Sequence, residues 1–273
     1  MVTFLLLFLV FFLWHGLGVT LGYHRLLAHR SFRCRAAFEY FLVIGAYLAF
    51  QGSPIWWAAI HRAHHRYSDT ELDPHTPKKG IAYAALGWLF DSSYLPKLNL
   101  AANSKDLVKN DFYRMLEPRG VIHPNLLNLV VNIAYRVLLL ALFGWTVFWA
   151  NVAASYFVFA IPQVVNVVCH LPKLGYRNFP ATDDSVNVWW CAIISLGDSW
   201  HANHHAFPGS SRHGVRQHEF DISWQVLRLA KFCGLVTELN EPDKMLRIRR
   251  KRKAGALCRL HRFQKFVANK SVA

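Results

Sequence analysis

Two copies of His-x-x-His-His, at His61, His64, His65 and at His201, His204, His205, constrain this chain more than any other feature. With 15 histidines among 273 residues, random placement gives roughly 0.05 copies of the pattern, so two copies are no accident of composition. On a helix, positions i, i+3 and i+4 share one face, so each triplet aims three imidazoles at one point. A third cluster, His24 and His29 in HRLLAHR, precedes them. Its spacing differs: positions i and i+5 lie about 140° apart on a regular α-helix, so these two rings diverge. Either the helix ends there or the two histidines serve different metals. Eight clustered imidazoles exceed what one tetrahedral ion uses, which points to two metals.

The background to these clusters is 53% hydrophobic and 15% aromatic, the composition of a membrane protein. Membrane helices are expected over about 3–23, 125–143 and 145–169, the last two forming an antiparallel hairpin around Gly144. The first lacks the basic start and small-residue cleavage site of a removed leader, so it reads as a retained helix. Clusters that meet at one site lie on one side of the bilayer, so an even number of crossings separates them. The hairpin satisfies this. Segment 37–60 then lies in the interface, or folds back at Gly52–Pro54. Basic residues flank every cluster: Arg25, Arg30, Arg33 and Arg35, then Lys78 and Lys79, then ten between Lys244 and Lys265. The positive-inside bias places all three in the cytoplasm and the N-terminus outside. Residues 1–243 are thus expected to form one integral-membrane domain. The tail, 244–273, is expected to rest on anionic lipid rather than nucleic acid. The five cysteines form no CxxC pair, which argues against a disulfide framework.

Other residues leave alternatives open. His170 closes the last apolar stretch with Asn166 one turn earlier; the pair is either ligating or a helix–helix hydrogen bond. His15 is expected to bond a neighbouring helix and His75 to lie on a turn. His123, His213, His218 and His261 read as loop, interface or tail residues. Asp69, Glu71, Asp73, Asp183, Asp184 and Asp198 either orient imidazoles or form solvated loops. Zinc hydrolysis would call for a motif such as HExxH, which is absent, and a transporter would place ionisable groups along the midplane. A dioxygen-activating iron pair acting on a membrane-resident lipid chain accounts for both the ligand number and the apolar background.

HRLLAHRSF, IHRAHHRYSDTELDPHTPKKG and WHANHHAFPGSSRHG, in this order, with GVTLGYHR and VNVVCH before the first and third, resemble the Δ9 (stearoyl-type) membrane fatty-acyl desaturases over roughly residues 14–240. The resemblance implies an all-α, mushroom-like membrane fold whose cytoplasmic helical cap holds two iron ions. It implies His24, His29, His61, His64, His65, His170, His201, His204 and His205 as ligands, with Asn166 reaching one iron through water. Gln51 and Trp57 are then expected to shape a bent acyl tunnel. The implied reaction places a cis double bond, at Δ9, in a saturated acyl chain, using dioxygen and two electrons. No HPGG haem motif is present, so electrons come from a separate donor such as ferredoxin or cytochrome b5. Acyl substrate, donor and membrane lipids are the expected partners, and nucleic acid is not.

Three departures stand out. Relatives carry two membrane helices before the first cluster where this chain has one. Ala59 and Ile60 replace an Arg-Asp pair that holds the CoA headgroup, which shifts the expected substrate from acyl-CoA towards acyl-lipid. Pro162, followed by Gln163, stands near a tunnel position where relatives often have threonine. A di-iron lipid hydroxylase and a non-catalytic membrane metal-binding protein are the alternatives.

Overall fold

The computed structural model describes residues 1–117 and 124–242. Helix α1, Val2–Leu17, runs directly into an 11-residue π-helical segment, Gly18–Ala28. Helix α2 is Ala36–Tyr47, α3 is Pro54–Tyr67, and short helical turns occupy 77–115. Helix α4, Pro124–Val168, is interrupted at Gly144, whose φ of 79° and ψ of −177° are non-helical. The arms on either side run antiparallel. Asn151 Nδ2 donates to Tyr135 Oη at 3.5 Å, and Asn128 and Leu129 share a cavity wall with Phe159 and Gln163. The expected hairpin is therefore present, its arms being about 30 and about 36 Å long at 1.5 Å per residue. Glycine suits this hinge because its φ lies in the left-handed region.

Two stretches, Val2–Ala28 and Asn125–Val168, are long and apolar enough to cross a membrane. Only 22% of the residues in the most apolar part of each are buried. Leu5, Leu6 and Leu9 on α1, and Val130, Ile133 and Val137 on the first hairpin arm, face outward. A core helix of a water-soluble protein buries such residues, and contiguous exposed apolar surface marks contact with protein or membrane.

Helix α2 packs against α1 at backbone distance. A Cβ added to Gly18 would lie 2.4 Å from Ala46 N, and one added to Gly45 would lie 2.9 Å from the Trp14 carbonyl oxygen. The C-terminal end of α2 meets polar groups of the hairpin. Asn128 and Asn132 each donate Nδ2 to Tyr47 O at 2.9 Å, and Arg136 Nη2 donates to Leu48 O at 3.1 Å. A cation at the carbonyl end of a helix complements its dipole. The chain then turns through Phe50 (φ 59°) and Gly52 (φ 75°). Ser53 Oγ accepts from Trp56 N–H at 3.0 Å and Pro54 opens α3. This is the expected fold-back; α2, with 12 residues, is too short to cross a bilayer.

The all-α expectation is corrected in one place. Phe32–Cys34 (β1) pairs antiparallel with Val236–Leu239 (β2), Phe32 opposite Leu239. This two-stranded sheet ties the chain after helix α6, Ile222–Phe232, to the segment behind the first histidine cluster. Helix α5, His201–Ala206, carries the third cluster. The basic tail (244–273, with Cys258 and His261) and His123 lie outside the described residues.

Candidate metal centre

Four elements, the π-helical segment with its C-cap, α3, the end of α4 and α5, converge on two groups of imidazoles. His24, His29, His61, His65 and His204 form one, and His64, His170, His201 and His205 the other. Within each group one nitrogen per ring lies within 4.8 Å of all the others. The α3 triplet splits: His61 and His65 join the first group and His64 the second. The α5 triplet splits likewise, with His204 in the first group, so α3 and α5 bridge both. His24 and His29 fall in the same group, which corrects the α-helical reading. The π-helical segment ends on a bond from His29 N–H to His24 O at 3.2 Å. An i→i+5 turn brings residue i+5 back nearly over residue i, so the two rings converge.

Four carboxylates orient the rings. Asp198, Asp73, Asp69 and Asp183 face Nδ1 of His24, His64, His170 and His205 at 3.0, 2.9, 2.9 and 3.0 Å. A carboxylate at Nδ1 holds the proton there and leaves a lone pair on Nε2. The Nε2 atoms face one another. In the first group His24–His204, His204–His65, His65–His61 and His61–His29 are 2.9, 2.8, 3.1 and 2.9 Å apart. In the second, His170–His201 and His64–His205 are 3.0 and 3.3 Å apart.

Burial, and after it the neighbouring imidazoles, hold His29, His61, His65, His201, His204 and His205 well below the ordinary histidine pKa. Their rings are neutral at pH 7, and at His64 and His205, both held at Nδ1 by carboxylates, two Nε2 lone pairs face each other at 3.3 Å and repel. A cation among them removes that conflict; two nitrogens bound at right angles about 2.1 Å from one ion lie roughly 3 Å apart. The residues present therefore fit two metal ions. At His64 burial alone would lower the pKa, but Asp73 outweighs it and the value is raised. Burial would raise Asp69, but the bond to His170 lowers it.

The comparisons with known proteins agree with this arrangement. Residues 1–231 match the family model for fatty acid desaturases. The chain belongs to the fatty acid desaturase family. It is 39% identical over 86% of its length to Delta-9 acyl-lipid desaturase 2 of Arabidopsis thaliana, covering 74% of that protein. It is 39% identical over 86% to the sn-1 stearoyl-lipid 9-desaturase of Anabaena variabilis, covering 83%. It is 38% identical over 84% to the acyl-CoA C20 Delta5-desaturase of Anemone leveillei, covering 70%. The protein is thus an oxidoreductase, a fatty acid desaturase.

Two cavities flank the imidazoles of this desaturase. One, about 450 Å³, is lined by Gln51, Trp57, His61, Trp88, Pro162 and Gln163 among others. The second, about 50 Å³, is lined by Gly16, Val19, His24, Val158, Leu196 and His201. Trp57, His61, Pro162 and Asn166 wall both, so the cavities meet beside the metal groups. Asn166 is half-buried at this junction, one turn before the fully enclosed His170. Trp57 Nε1 donates to Gln51 Oε1 at 3.3 Å, and Gln51 Nε2 donates to Val158 O at 3.5 Å.

Several residues read as bland in the sequence belong to the site. His213 is buried, its ring 4.5 Å from that of His204 and its Nδ1 3.4 Å from Asp198. His75 is also buried, its ring 4.3 Å from His64, and burial pushes its pKa down to about 3. The cue was available in the sequence: both sit within about ten residues of a histidine triplet. Of the six candidate carboxylates, Glu71 is exposed and Asp184 pairs with Lys78 at 3.0 Å. His15 behaves as expected, Nδ1 lying 2.7 Å from Gly45 O and Nε2 accepting from Asn151 at 3.0 Å.

Proposed function

We propose that this desaturase is an integral-membrane di-iron enzyme that introduces a cis Δ9 double bond into a saturated chain carried on a membrane lipid. The observation that carries the reading is a largely apolar pair of cavities that share Trp57, His61, Pro162 and Asn166 and meet beside two groups of imidazole nitrogens. His24, His29, His61, His65 and His204 would hold one iron, and His64, His170, His201 and His205, with Asn166 through water, the other. When bound, the irons supply dioxygen activation. The chain's own residues place the substrate: Trp57 and the Gln51 bond to it fix the bend, and the apolar walls exclude water from the reacting methylenes. The balance is one –CH2–CH2– unit, one O2, two electrons and two protons giving one –CH=CH– and two waters.

A lipid-bound chain is favoured over acyl-CoA because the described walls of the larger cavity carry no lysine or arginine for phosphates. Its rim includes Phe90, 88% exposed, and Leu129, 45% exposed, an apolar margin that suits entry from the bilayer. The names of the Arabidopsis and Anabaena relatives support the same substrate class and bond position, whereas the Anemone relative is named for acyl-CoA and Delta5. Residues 1–243 would form one membrane domain with its active site on the cytoplasmic side, where the basic residues gather. Electrons would come from a separate ferredoxin or cytochrome b5.

The test is expression in a host lacking its own desaturase, with total fatty acids analysed by mass spectrometry beside a His64→Ala control. A Δ9 monounsaturated acid absent from the control is expected. A hydroxylated acid instead would favour the hydroxylase, and no product even with ferredoxin and cytochrome b5 both co-expressed would favour a metal-binding protein.

A further inference from the structure

Carboxylates face Nδ1 of four ligand rings, but Nδ1 of His201 and of His204 is enclosed and has no partner among the described residues. The rings packed against His201 all belong to the two metal groups. His204 differs. It also lies against His213, whose ring centre is 4.5 Å away with the planes inclined by 37°. His213 is 1% exposed, and both of its ring nitrogens are enclosed without a closed hydrogen bond. An unsatisfied buried polar group costs about 1–3 kcal/mol, so two touching rings with unmatched nitrogens stand to gain by pairing.

The backbone of His213 fixes where its ring stands. Its N–H donates to Asp221 Oδ2 at 2.8 Å, and its carbonyl accepts from Nδ2 of Asn203, the residue before His204, at 2.9 Å. The ring touches a carboxylate on its other side: Nδ1 is 3.4 Å from Asp198 Oδ1, while Oδ2 of the same Asp198 faces His24 Nδ1 at 3.0 Å. Burial, and after it the charge of Arg25, push the His213 pKa down to about 4, so the ring carries one proton and one lone pair at pH 7. With the proton towards Asp198, the lone pair lies on Nε2. A ring that offers Nε2 to a metal carries its own proton on Nδ1. His204 thus has a spare donor and His213 a spare acceptor. Ring centres 4.5 Å apart let the two nitrogens close to the ordinary ~2.9 Å.

We propose that His213 is a positioning residue of the first metal group: with that group occupied, its Nε2 accepts from Nδ1–H of His204 and its Nδ1–H donates to Asp198. One carboxylate then orients two ligands, His24 directly and His204 through His213. The inference deepens the desaturase reading above and rests on the five-imidazole group being a metal site. His204 sits inside that group, its Nε2 lying 2.9 Å from that of His24 and 2.8 Å from that of His65, so its direction bears on both neighbours. A partner at Nδ1 fixes a ligand ring and makes its Nε2 a stronger base. Arg25 and Thr20 donate to Asp198 Oδ1 at 3.1 and 2.7 Å and hold the carboxylate itself in place.

The test loads the detergent-solubilised full chain with Co(II), which imidazole sites accept and whose visible absorption reports the ligands around it. Affinity is read by competition with a chelator. His213→Phe keeps the bulk of the ring and removes both nitrogens. It should weaken one of the two ions about 10–100-fold, shift the absorption bands of that ion and leave the other as in wild type. His213→Gln places an amide oxygen near the lost Nε2 and should recover most of the affinity. A ring that only filled space would give the reverse order, since a buried gap accepts phenylalanine more readily than an amide. Wild-type affinity in His213→Phe, weaker binding in His213→Gln than in His213→Phe, or equal loss of both ions overturns the proposal. So does one tightly held ion in Asp69→Asn/His213→Phe, because a defect in each group should leave neither ion tightly bound. A wild type that holds no cobalt removes the metal reading and this inference together. A wild type that holds two ions yet makes no unsaturated product in the expression host removes the desaturase reading alone.

Discussion

Gln51 Nε2 donates to the carbonyl oxygen of Val158 at 3.5 Å, and that carbonyl is free because Pro162, four residues on, has no N–H to give it. The helix bond that proline cannot make thus leaves an acceptor for Gln51 inside an otherwise continuous helical arm. The same Gln51 accepts from Trp57, whose ring walls both cavities, so the proline is linked through Gln51 to the wall the two cavities share.

Pro162→Ala should return a donor to Val158 and release Gln51. A bond of this kind contributes about 0.5–1.5 kcal/mol, enough to shift a ratio of product isomers roughly two- to tenfold. Mass spectrometry of derivatised products should show neighbouring bond positions gaining on the parent one; a single unchanged isomer would remove the proline from the positioning scheme.

Asp69→Asn should loosen His170. Asp69 sits at φ 60°, a conformation asparagine tolerates, so the fold is retained while the carboxylate is lost. Loss of such an orienting partner costs about 10–100-fold in metal affinity. Metal per chain, by plasma mass spectrometry after dialysis against a chelator, should fall from two towards one as the four-imidazole group empties. Equal loss from both groups would contradict the partition of the ligands.

Gly18→Ala should force the start of the π-helical segment and α2 apart, because the new Cβ would lie 2.4 Å from the Ala46 backbone nitrogen, which cannot yield. Overpacking of this kind costs about 1–3 kcal/mol, which lowers Tm by roughly 2–4 °C per kcal/mol in a chain of this size. A melt in detergent that matches wild type would show the crossing to be looser than described.

Glu219 predicts an acid limit. It accepts from Arg216 and Val215 N–H at 2.8 and 2.7 Å, from Tyr176 Oη at 2.8 Å and from Asn178 Nδ2, as well as from Asn203, inside the third cluster, at 2.9 Å. Burial would raise its pKa, but these donors outweigh burial and lower it below the ordinary 4.5. Between the two values the unfolded chain takes up a proton that the folded one refuses, so stability falls as pH drops through that window. Glu219→Gln should flatten the fall in Tm below about pH 4.5; an unaltered slope would assign acid sensitivity elsewhere.

Much of the site was legible because its signals are local. A helix at His61–His65 fixes three ring directions at once, and Gly144 and Gly52–Pro54 punctuate apolar runs where the chain reverses. Other parts were hidden. The α-helical period separated His24 from His29, and only the π-helical turn, buried along its whole length, reunites them. Nothing in the order of residues distinguishes Asp69 and Asp73 from Glu71, since the choice depends on which oxygen reaches a ring, in the first case one 101 positions away.

By itself, then, the sequence determined which residue types gather and which faces they share, because side-chain direction within one helix is set by its own repeat. The tertiary structure decided how the imidazoles divide into two groups, that His213 and His75 stand among them, and that Pro162 supports Gln51. Those outcomes depend on elements far apart in the chain meeting within hydrogen-bond distance, and burial there makes unpaired polar groups too costly to leave.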